Sequence, residues 1–97
     1  MQDTLMSVQI VPKPPNNDDV IPYVDEAIKI IQESGIKYEV HPLETTMEGD
    51  LDELFQIISK MNKKMMEIGS KNVITQIKVL YQPDGITLST LTEKYHS

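Results

Sequence analysis

The apolar residues of this chain change period along its length in the order strand, helix, strand, strand, helix, strand, and that order leaves few folds open. From Thr4 to Val11 the even positions Met6, Val8 and Ile10 are apolar while Ser7 and Gln9 between them are polar, the period of a half-buried strand. Pro12, Pro14 and Pro15, followed by Asn16-Asn17-Asp18-Asp19, are expected to end that ladder in a polar loop whose last Asp caps a helix. Ile21, Val24, Ile28 and Ile31 then recur at helical spacing, Pro22 falls in the first turn, and Gly35 supplies a stop, which predicts a helix over Val20–Ser34. Ile36–Val40 and Leu43–Glu48 read as two short strands broken at His41-Pro42, hence a hairpin.

Asp50 with Glu53 has capping-box spacing, and Leu51, Leu54, Phe55, Ile58, Met61, Met65 and Ile68 trace an apolar stripe up to Gly69, predicting a second helix. In Asn72–Tyr81, Val73, Ile77, Val79 and Tyr81 oppose Gln76, Lys78 and Leu80, a fourth strand. Pro83-Asp84-Gly85 turns the chain into a last segment, Thr87–Tyr95, expected to be a short helix capped by Thr87. The order β-α-β-β-α-β implies an α+β, ferredoxin-like plait, a four-stranded antiparallel sheet with two helices on one face. Its other face would carry bare apolar residues such as Val11 and Leu80, so a second sheet should pack there and the chain should self-associate.

Ninety-seven residues suit a single domain, 1–97, with one modest core. Without cysteine there is no disulfide, thiolate metal site or cysteine nucleophile, and the expected compartment is the cytoplasm. No basic and apolar leader opens the sequence, and no apolar run reaches the roughly 20 residues that span a bilayer, so no membrane partner is expected. Fifteen acidic residues against nine basic ones give a formal charge of −6, and no arginine is present, which argues against binding nucleic acid.

Catalytic chemistry finds little support. His41 and His96 stand far apart and form no H-x-x-E or H-x-x-x-H pair, so no metal site is expected, and His41 reads as a turn residue. No nucleophile elbow, phosphate loop or dinucleotide glycine pattern occurs, and Asp52-Glu53 suits the solvated face of a helix. Met61, Met65 and Met66 read as core or interface fillers. The exception is Thr45-Thr46-Met47-Glu48-Gly49, which gathers two hydroxyls and a carboxylate beside a glycine that permits an unusual turn or a close approach. Glu48, just before the second helix, is either the anionic part of a small polar site or a local helix-terminal charge, with Thr45 and Thr46 as ordinary strand residues.

Ser7-Val8-Gln9-Ile10-Val11-Pro12, Ser34 through Val40, Thr45-Thr46-Met47-Glu48-Gly49-Asp50 and Tyr81 through Thr87 together resemble the MTH1187/YkoF-like thiamine-binding family, also grouped as UPF0045 and DUF77. The resemblance covers nearly the whole chain. It implies a protein that is not an enzyme, binds thiamine or its hydroxymethylpyrimidine moiety as ligand with no cofactor, and assembles as a dimer or a dimer of dimers. Some branches carry an arginine on the last strand where this chain has Ile77-Lys78-Val79-Leu80-Tyr81. Thiamine combines a cationic thiazolium with an aminopyrimidine, so Glu48 can accept from the amine, hydroxyls of Ser7, Thr45 or Thr46 can pair with ring nitrogens, and Tyr38 or Tyr81 can stack. The competing reading is a structural or protein-interaction module that needs no small ligand.

Overall fold

The structure, a computed structural model, describes residues 2–85. Strand β1 (Thr4–Pro12), helix α1 (Ile21–Ser34), strands β2 (Lys37–Val40) and β3 (Thr45–Gly49), helix α2 (Leu51–Glu67) and strand β4 (Val73–Tyr81) follow in the anticipated order. The strands form one antiparallel sheet in the order β2-β3-β1-β4, with α1 and α2 on one face. This is the ferredoxin-like plait. The expected helix over Thr87–Tyr95 lies outside the described residues.

The core forms where the inward positions of two strands meet the inner stripes of both helices. Met6 and Val8 of β1 and Met47 of β3 pack against Ala27 and Ile31 of α1 and Leu54, Ile57, Ile58, Met61 and Met65 of α2. One stripe residue differs from expectation: Phe55 is 43% exposed, whereas Ile57, which the stripe does not include, is in the core. The segment Leu54-Phe55-Gln56-Ile57-Ile58 offers apolar residues on two adjacent helix faces, and only the position of the sheet decides between them. Met66 likewise points outward, at 50% exposure, while Met61 and Met65 fill the core.

Pro12 does not end the ladder as expected; it is the last rung of β1, opposite Val73. Lys13 N–H donates to the Asn72 carbonyl at 3.2 Å, so backbone alternation turns position 12 away from β4. On that side β3 has already stopped, its pairing with β1 ending at Val8 and Thr45, and the missing donor of Pro12 therefore removes no hydrogen bond. A short 3-10 turn at Pro15–Asn17 follows, and Asp19 accepts from the Ile21 N–H at 3.0 Å, so α1 begins one residue later than expected. Gly35 closes α1 in the left-handed conformation, φ 80°.

The capping box at α2 is absent: Asp50 makes no side-chain cap. The Leu51 N–H donates instead to the Asp3 carboxylate at 3.1 Å, and the Thr4 hydroxyl donates to the same oxygen at 2.8 Å. A residue just before β1 thus caps a helix 48 positions away. Asp3→Ala should lower stability by about 1 kcal/mol, and thermal denaturation should show a midpoint lower by about 4–8 °C. A midpoint equal to that of the unaltered protein would show that solvent satisfies the Leu51 N–H equally well.

Candidate functional site

In register, alternate residues of the four strands form two faces. Facing away from the helices are Leu5, Ser7, Gln9 and Val11 of β1, Thr46 and Glu48 of β3, Lys37 and Glu39 of β2, and Ile74, Gln76, Lys78 and Leu80 of β4. One row across this face, open in that no helix covers it, reads Glu39, Thr46, Ser7, Lys78, and the next reads Lys37, Glu48, Leu5, Leu80, with Glu48 and Leu5 buried. A carboxylate thus stands at one end of the first row and an ammonium at the other, with two hydroxyls between them.

The six residues singled out from the sequence divide evenly between the faces. Ser7, Thr46 and Glu48 come together on the open face, Ser7 and Thr46 as a direct cross-strand pair with Glu48 two residues along β3. Thr45, Tyr38 and Tyr81 belong to the helix-side face. Thr45 is buried and lines a cavity of about 330 Å³ with Val24, Ile28 and His41, Tyr38 packs against the core, and Tyr81 sits opposite Thr4 at the end of β4. The Thr45–Thr46 tandem therefore cannot serve one pocket, and neither tyrosine is on the face that holds Glu48.

Glu48 itself is buried, with 4% of its surface exposed, and lies within β3 rather than at the helix terminus, whose first N–H is taken by Asp3. Gly49 keeps an ordinary backbone conformation and matters through proximity: a Cβ there would stand 3.1 Å from Leu54 Cδ2. This close approach seats the end of β3 against the first turn of α2.

Two depressions run along the open face and share Ser7 and Lys78. One, of about 230 Å³, is bordered by Leu5, Thr46 and Leu80; the other, of about 510 Å³, by Gln9, Glu44 and Gln76. Lys78, Gln9 and Gln76 were not evident as site residues from the sequence, because their relation to Ser7 depends on β1 lying between β3 and β4. His41 Nε2 is 3.4 Å from the Glu39 carboxylate, but both side chains are about half exposed, and such surface pairs contribute little. Among the described residues no group of three or more His, Cys, Asp or Glu side chains could hold a metal ion, and no helix is long and apolar enough to cross a membrane.

A family model described as thiamine-binding protein matches residues 6–97. A UPF0045 protein of Clostridium perfringens is 37% identical over 90 residues, covering 93% of this chain and 94% of its own length. The UPF0045 protein YqgV of Bacillus subtilis is 31% identical over 97 residues, covering 96% and 91%. Among solved structures, a DUF77 domain from Bacillus cereus superposes with a TM-score of 0.91 at 38% identity, covering 99% of this chain and 92% of that one. A candidate thiamine biosynthesis/salvage protein from Thermotoga maritima superposes with a TM-score of 0.86 at 28% identity, covering 97% and 99%.

Proposed function

The chain belongs to the thiamine-binding protein family, and on that premise we propose that it binds thiamine or its hydroxymethylpyrimidine moiety on the open sheet face without transforming it. The observation that carries this reading is the placement of Glu48, Thr46 and Ser7 on one face, a carboxylate with two adjacent hydroxyls. Glu48 accepts from the exocyclic amine, and the hydroxyls serve the ring nitrogens. A charge-assisted hydrogen bond contributes about 1.5–3 kcal/mol and a neutral one about 0.5–1.5, short of the roughly 8 kcal/mol of micromolar affinity. Apolar contact must supply the remainder, and Leu80, 43% exposed beside the smaller depression, offers it.

A depression of about 230 Å³ is smaller than the roughly 300–1,000 Å³ of ordinary ligand pockets, so one copy of this face encloses such a ligand poorly. A second copy packed on the face would complete the enclosure. It would also cover Val11, Ile74 and Leu80, each at least 43% exposed, in a dimer or a dimer of dimers. Light scattering should therefore give at least twice the 11.1 kDa chain mass at micromolar concentration; a monomer throughout that range counts against the proposal.

Calorimetry with thiamine and with hydroxymethylpyrimidine tests binding, and silence with both at millimolar ligand, on protein shown to be folded, would defeat it. The exposed apolar residues of β4 also favour a second reading, a module for association alone. Glu48→Gln separates the two, because the binding reading expects weaker ligand affinity in an unchanged oligomer and the association reading expects dissociation.

A further inference from the structure

Lys78 has no role in the reading above, yet among the described residues it is the one cation that borders both depressions of the open face. The ion pairs among the described residues are His41 with Glu39 and Lys64 with Glu67, so Lys78 makes none, although Glu44 borders the larger depression with it. Ser7 is its direct neighbour across β1 and β4, and Thr46 follows across β3. Neither hydroxyl donates or accepts in any side-chain hydrogen bond between described residues, and the same holds for the amides of Gln9 and Gln76. An ammonium, a hydroxyl and two amides thus converge on one groove with their donors unused. That donor set matches the oxygens of a phosphoryl group.

The position of this donor set relative to Glu48 restricts the ligand further. Glu48 and Lys78 lie two strands and two residues apart, which corresponds to about 12 Å between their backbones. Thr46 borders the smaller depression, Ser7 and Lys78 border both, and Glu48, buried beside Leu5, borders neither. A two-ring cation whose hydroxyethyl arm ends in a phosphate fits this order, with its rings over the smaller depression beside Thr46 and the phosphate toward Lys78. The net charge of −6 opposes an anion at long range. Screening at physiological salt acts over about 8 Å, so the local ammonium outweighs it at contact.

We propose that the site selects the phosphorylated form of its ligand, a thiamine phosphomonoester, with Lys78 and Ser7 holding the phosphate; this rests on the thiamine-binding reading. The test is calorimetry with thiamine and with thiamine monophosphate at one ionic strength, on the unaltered protein, Lys78→Met and Lys78→Arg. The monophosphate should bind roughly tenfold or more tightly than thiamine, and that advantage should shrink as salt is raised. Lys78→Met should abolish the preference while changing thiamine affinity by less than about twofold, and Lys78→Arg should retain it. Equal binding of the two ligands by the unaltered protein, or an equal loss for both in Lys78→Met with fold and oligomer intact, overturns the proposal but leaves thiamine binding standing. Silence with both ligands removes the two readings together.

Discussion

Leu54→Ala should cost about 3 kcal/mol of folding stability, within the 2–5 kcal/mol typical of truncating a buried leucine. Leu54 has no exposed surface, belongs to the core beneath the sheet, and lies against Gly49, so its removal leaves a void between the first turn of α2 and the end of β3. Against a total stability of about 5–15 kcal/mol that is a large share, and at about 4–8 °C per kcal/mol the melting midpoint should fall by roughly 12–24 °C. Phe55→Ala, one residue along, removes a larger side chain that is 43% exposed, and its loss should stay below about 1 kcal/mol. Thermal melts at one fixed protein concentration compare the pair, since association makes midpoints concentration-dependent. If Phe55→Ala destabilises as much as Leu54→Ala, the face of α2 turned to the sheet is not the one described.

Glu48→Ala should weaken thiamine binding by about 1.5–3 kcal/mol, roughly 10- to 150-fold, because it removes the charge-assisted acceptor from the proposed contacts. Thr46→Val keeps the β-branched shape and loses one neutral hydrogen bond, so its expected cost is smaller, about 0.5–1.5 kcal/mol. The order of the two effects is the sharper expectation. Should Thr46→Val prove more damaging while Glu48→Ala leaves thiamine titrations unaltered, with circular dichroism and oligomer size intact in both, Glu48 is not the ligand's anionic partner.

The plait is legible in the sequence because each element carries its own period and its own stop: Gly35 after α1, Pro42 in the hairpin, Gly69 after α2. The separation of Thr45 from Thr46 is implied as soon as residues 43–48 are read as a strand, since neighbours on a strand point to opposite faces. Which of the two joins the open face depends on where the helices pack, and no local pattern specifies that. The cap from Asp3 to Leu51 and the alignment of Lys78 with Ser7 are non-local in the same way. Phe55 and Ile57 mark the opposite limit: both are apolar, both lie on α2, and only the sheet beneath tells them apart.

The earliest of the four strands along the chain occupies the middle of the sheet, and its ladder with β4 joins Thr4 to Tyr81 and Pro12 to Val73, so each rung spans more than sixty residues. On the ribosome, β1 therefore waits with one edge open until β4 has emerged. Contacts of such separation close slowly, because the entropy of a long loop is lost before any rung forms to offset it. During that interval the unpaired edge of β1 can accept any extended segment, including β4 of a neighbouring nascent chain. Exchange of β4 between copies is thus the misfolding route this topology favours, and dilution during refolding should suppress it.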